Sequence, residues 1–89
     1  MIERDIEIKN KLGLHARAAA KLVHCAAKFQ SDIKIRKGDE EVDAKSILGI
    51  LLMAAAQGTR LVVRVDGDDE AAALAAVTAL IADRFGEDD

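Results

Sequence analysis

Apolar and charged residues alternate at the start of the chain: Ile2, Ile6 and Ile8 are evenly spaced, with Glu3, Asp5, Glu7 and Lys9 opposite. A period of two puts the isoleucines on one face of a half-buried strand. A turn is expected at Asn10 to Gly13, and from Ala16 to about Phe29 the period lengthens. Ala19, Leu22, Val23, Ala26 and Phe29 form an apolar stripe at helical steps, while Arg17, Lys21, His24 and Lys28 recur on another face. "DIKIRKGDEEVDA" reads as two short strands turning about Gly38, with Ile33, Ile35 and Val42 available to the core. "KSILGILLMAAAQG" starts a second helix at Ser46, a favoured N-cap, and extends it to Gly58, a favoured residue just past a helix end. Gly49 in its first turns weakens the case for a long regular helix. "TRLVVRVDG" is a strand with Leu61, Val63 and Val65 inward. Asp68 or Asp69 caps the last helix, where Leu74, Val77, Ile81 and Phe85 recur at helical steps, and the polar "GEDD" at 86–89 is expected to fray.

The order is therefore strand, helix, strand, strand, helix, strand, helix. For a single domain of 89 residues, the economical packing is an α+β two-layer sandwich, one sheet covered on one face by helices. A hydrophobic fraction of 51% with 33% charged residues fits a soluble globular chain rather than a disordered or membrane one. Aromatic residues are only 2%, so the core must come from Ala, Val, Leu and Ile, and the stacking platforms that nucleic-acid binding uses are missing. The lone cysteine, Cys25, allows no internal disulfide and reads as a small buried hydrophobe, in keeping with a reducing compartment. "MIERDIEIKN" contains no continuous apolar run, hence neither a signal peptide nor an anchor, and a cytoplasmic protein without membrane insertion is expected.

Chemistry enters at "NKLGLHARAAAKLV". His15 falls where the first helix begins, and free backbone N–H groups with the helix dipole make that a place for an anion. Arg17 adds a guanidinium whose forked donors match phosphate oxygens. Imidazole, with an ordinary pKa of about 6.5, is largely neutral and nucleophilic at neutral pH. His15 can thus accept a phosphoryl group, and Arg17 with the N–H groups of Ala16 and Arg17 can hold it. The same spacing also fits a surface cap beside a solvated charge. His24 reads as a surface histidine, and His15, His24 and Cys25 do not converge as metal ligands. Ile47, Leu48, Leu51 and Leu52 exceed what one helix face gives a core, so some of them are expected to be exposed. Net charge is −3, but Lys11, Arg17, Lys21 and Lys28, with Lys45 a further member, are expected to gather near His15 while acids concentrate at the far sequence end. A basic ring around an apolar patch suits an acidic protein partner, bound weakly and quickly.

"GLHARAA", followed by "KSILGILLMAAAQGT", resembles the HPr family, the histidine-containing phosphocarriers of the bacterial phosphoenolpyruvate-dependent sugar phosphotransferase system. The resemblance implies a four-stranded antiparallel sheet with three helices on one face, and a short second helix, so that the run to Gly58 includes a loop. It implies that His15 takes a phosphoryl group on Nδ1 from phosphorylated enzyme I and passes it to an enzyme IIA, with Arg17 assisting. No cofactor is implied, and the chain is expected to be a monomeric carrier rather than an enzyme. The resemblance favours Ile47, Leu48 and Leu51 for docking, and Ala20 and His24 are further docking candidates. At Ser46, which needs no role beyond capping, the resemblance implies phosphorylation by an HPr kinase/phosphorylase in many bacteria, adding negative charge beside the docking surface. The chain departs from the family at Ala18, where proline is usual; in the first helical turn either residue is compatible with the helix. A regulatory module that acts by docking alone, for nitrogen-linked or catabolite control, is the alternative function.

Overall fold

The alternating start of the chain forms β1 (Ile2–Glu7), which pairs antiparallel with β4 (Arg60–Asp66) so that Ile2 faces Val65 and Ile6 faces Leu61 across the ladder. These elements belong to a computed structural model that describes residues 1–87. β2 (Asp32–Lys37) pairs with the other side of β4 and, through a hairpin at Gly38 and Asp39, with β3 (Glu40–Asp43). The sheet order is β1-β4-β2-β3, antiparallel throughout. Alternate residues Ile33, Ile35, Leu61, Val63 and Val65 are fully buried, so one face of the sheet is apolar and the helices cover it.

α1 (Ala16–Ala27) buries Ala18, Ala19, Leu22 and Ala26, with Val23 and Phe29 half-buried beside them. Arg17, Lys21, His24 and Lys28 are exposed, as the two stripes predict. The helix stops short of Phe29, whose N–H bonds the Ala26 carbonyl in a tighter final turn. α2 (Ile47–Met53) contributes Ile50 and Met53 to the core, and α3 (Glu70–Ala82) contributes Ala73, Leu74, Val77 and Ile81. No helix among the described residues is long and apolar enough to cross a membrane.

The second helix read from pattern alone, as far as Gly58, requires correction; the short helix implied by the resemblance is the one found. Ala54 already adopts the left-handed conformation, φ 53° and ψ 45°. The next residues are tied elsewhere: Leu14 N–H donates to Ala55 O at 2.9 Å and Gly58 N–H to Ile8 O at 2.8 Å. Those bonds bring the chain beside β1 to start β4, and tertiary ties override the helix propensity of three alanines. Gly13 makes the approach possible, because at φ +66° a Cβ would lie 3.0 Å from the Ala56 Cα and closer still to the Ala55 carbonyl.

The last helix also differs in detail. Asp69 occupies the N-cap position of α3, yet its carboxylate does not cap. It accepts from Gln30 N and Ser31 N, each at 2.9 Å, and from the Ser31 hydroxyl, joining α3 to the loop before β2. Phe85 is fully buried but lies past the end of α3, in a 3₁₀ turn at Arg84–Gly86. The frayed end expected at 86–89 does not describe Gly86, which belongs to this turn, or Glu87, whose carboxylate is hydrogen-bonded; Asp88 and Asp89 lie outside the described residues.

Candidate functional site

His15 occupies the N-cap of α1 with an extended backbone, φ −71° and ψ 176°, and its carbonyl accepts the first intrahelical bond, from Ala19 N–H at 2.8 Å. The N–H groups of Ala16, Arg17 and Ala18 precede that bond and have no intrahelical acceptor. No acidic residue lies in the first turn, so the helix itself does not neutralise the positive end of its dipole there. Ala16 and Arg17 are exposed, whereas Ala18 is fully buried. The His15 side chain is 26% exposed, open enough for a reacting group to reach it.

Two residues unforeseen in the sequence complete the site. Glu87 comes back from the chain end and pairs its Oε2 with His15 Nε2, while its Oε1 accepts from Asn10 Nδ2 at 3.0 Å. Asn10 is fully buried and also donates to Gly13 O at 2.7 Å, which fixes its amide orientation. The Glu87 carboxyl is held below the usual carboxylate range, chiefly by the His15 hydrogen bond, helped by Asn10 and by the charges of His15 and Arg17. A carboxylate on Nε2 selects the tautomer with its proton there and leaves the Nδ1 lone pair free for chemistry. Glu87 carried no local signal beyond one acid in a polar tail, and Asn10 read only as a turn residue.

Beside His15 an open hollow of about 340 Å³ is lined by Leu12, Leu14, Leu51 and the Ala54–Ala56 loop. The apolar surface continues outward through Leu12 (68% exposed), Ile47 (44%), Leu48 (64%) and Leu52 (70%). Leu51 thus carries the hollow onto α2, to which it belongs, and the expected partial exposure of this series is found. On α1, Arg17, Ala20 and His24 follow at steps of three and four and share a face; Ala20 is half-buried and His24 exposed. Ser46 caps α2, its hydroxyl accepting from Gly49 N–H at 3.2 Å.

The basic ring is smaller than the sequence implies. Lys45 donates to Phe29 O at 2.8 Å, and Lys28 is the C-cap of α1. Both therefore sit at the opposite end of α1 from His15, about 18 Å along a helix of this length. Lys21 donates to Phe85 O at 2.6 Å and holds the chain end. Arg17 is the cation whose charge acts on Glu87, and Glu87 itself places an acid at the site. Among the described residues no three potential ligands converge on a metal position.

The family described as PTS HPr component phosphorylation site matches residues 2–83. The phosphocarrier protein HPr of Xylella fastidiosa is 51% identical over 88 residues, covering 99% of each chain. The phosphocarrier protein HPr of Cupriavidus necator is 51% identical over 87 residues, covering 98% of each. The crystal structure of HPr-C-His from Thermoanaerobacter tengcongensis superposes with a TM-score of 0.96 at 47% identity, covering 100% of both chains.

Proposed function

The chain belongs to the HPr family, the phosphocarrier proteins of the phosphotransferase system, and we propose that it carries the phosphoryl group on Nδ1 of His15, from phosphorylated enzyme I to an enzyme IIA. The observation that carries this reading is the pairing of His15 Nε2 with Glu87 at the open N-terminus of α1. It leaves Nδ1 as the nucleophilic nitrogen, on the N-cap residue of a helix whose N–H groups at Ala16 and Arg17 have no intrahelical acceptor. In-line attack by Nδ1 puts three phosphoryl oxygens near the positive end of the helix dipole, where those N–H groups and the Arg17 guanidinium neutralise their charge. Enzyme I and enzyme IIA dock in turn on the apolar surface of Ile47, Leu48 and Leu51, with Ala20 and His24 on the adjoining face of α1. The protein acts as a monomeric carrier, not as a catalyst with a small-molecule substrate.

Incubation with phosphoenolpyruvate and enzyme I tests this directly. Acid-labile phosphate is expected on the native chain and none on His15→Ala; equal labelling of the variant would sink the reading and leave the docking-only regulatory function.

Ser46 is the regulatory position. A phosphate on its hydroxyl would sit at the N-terminus of α2 and add about two negative charges next to Ile47 and Leu48, repelling an acidic partner surface. A mass shift is expected on native protein treated with ATP and an HPr kinase, and its absence in extracts of the source organism would count against this control.

A further inference from the structure

Glu87 is brought to His15 by a set of contacts that an accidental surface pair would not need. The two residues are 72 positions apart in sequence, and the chain reverses through three consecutive left-handed residues, Arg84 (φ 58°), Phe85 (φ 56°) and Gly86 (φ 76°). Arg84 and Phe85 are not glycine, and such residues adopt this conformation only where the surroundings impose it. Phe85 is fully buried and anchors the reversal, while Lys21 from α1 bonds its carbonyl at 2.6 Å. Beyond the anchor, the Glu87 side chain is only 13% exposed, with one carboxylate oxygen on buried Asn10 and the other on the imidazole. Anchor, clamp and buried donor together aim one carboxylate at one ring nitrogen.

We infer that Glu87 is a positioning residue for phosphoryl transfer: by accepting from Nε2–H it turns Nδ1 toward the incoming phosphorus and stabilises the imidazolium that forms when Nδ1 is phosphorylated. This rests on the reading of His15 as the acceptor. In the step, the bond from phosphorus to the leaving atom of the phosphorylated donor breaks, and its electron pair stays with that donor. The Nδ1 lone pair makes the new N–P bond. No proton moves; the ring keeps its Nε2–H and becomes a cation, whose charge Glu87 balances. When the group passes on, the N–P pair returns to Nδ1 and the ring is neutral again. A carboxylate behind a reacting histidine does this work in hydrolytic triads, holding tautomer and orientation without taking the proton. The basis is electrostatic: hydrogen bonds between ionised partners are roughly twice as strong as neutral ones, so the pair tightens as the ring becomes charged.

The test uses the protein alone with phosphoramidate, a chemical phosphoryl donor that needs no docking, and reads the product by ³¹P and ¹⁵N NMR of labelled histidine. Native protein is expected to be phosphorylated on Nδ1 of His15. Glu87→Gln keeps an acceptor but loses the charge, so it should retain Nδ1 selectivity and react about tenfold more slowly, the loss of one charge-assisted hydrogen bond. Glu87→Ala frees the other nitrogen and should yield Nε2 product. Thermal melts of both variants establish that each is folded, and Glu87→Gln alone carries the test if the alanine variant is not. Nδ1 product from both variants at the native rate overturns the inference while His15 stands as acceptor. No phosphate on His15 in any of the proteins overturns the reading beneath it, and the inference with it.

Discussion

Ala18 is fully buried at the third residue of α1, and its N–H precedes the first intrahelical bond. Proline there would remove no helical hydrogen bond, and its fixed φ matches the first turn. Ala18→Pro is therefore expected to fold, with stability changed by less than about 1 kcal/mol, the fewer states of the unfolded chain offsetting the larger ring in the core; a urea titration measures it. Ser46→Ala removes the bond to Gly49 N–H and should cost about 1 kcal/mol in the same titration. His15, Arg17 and Ser46 could be found in the sequence because their signals are local: each stands at or beside the start of a periodic segment. Glu87 and Asn10 could not, since what makes them part of the site is a fold that joins the chain end to the first turn. No window of sequence contains that contact.

At the scale of elements, periodicity located every strand and helix but not every end. α1 and β4 were legible because their apolar positions repeat without interruption over a full element. α2 was not, because "MAAAQG" has helix propensity and only the bonds from Leu14 and Gly58 to distant partners show why the helix stops at Met53. The same competition decides Asp69, which pattern assigns to capping α3 and the fold spends on Gln30 and Ser31. The Asp69 carboxyl lies below its ordinary value of 3.8, first because the Ser31 hydroxyl donates to it and then because Gln30 N–H does. A carboxylate with a depressed folded-state pKa adds stability that is present above the unfolded value and lost as pH falls through the folded one. The urea midpoint of the native protein should thus drop as pH is lowered below about 4. In Asp69→Asn this acid-induced drop should be smaller; an unchanged drop would mean the link between α3 and the loop before β2 contributes no pH dependence.

For the whole molecule, the sheet and its helices set two features side by side: the His15 imidazole at the start of α1 and an apolar patch on α2. The 2% aromatic content argues against base stacking. Composition did not show that Lys28 and Lys45 would sit at the other end of α1, because charge spacing along a sequence does not report which helix end a lysine reaches. The proposed docking surface therefore consists of the exposed leucines of α2, with Arg17 near His15. Leu48 is 64% exposed, so Leu48→Asp should change folding stability by no more than about 0.5 kcal/mol. In titration calorimetry against enzyme I it should cost about 2 kcal/mol or more, as expected where an anchor of the patch is replaced by a charge. Native affinity in that variant would remove α2 from the interface.

The relay itself can be followed with isotope. Phosphoenolpyruvate carrying ³²P, with a trace of enzyme I, is expected to load one acid-labile phosphoryl group per chain on the peptide containing His15, and addition of enzyme IIA should empty it within the time of mixing. Label that stays on this chain, or that loads His15→Ala equally, would contradict the carrier function.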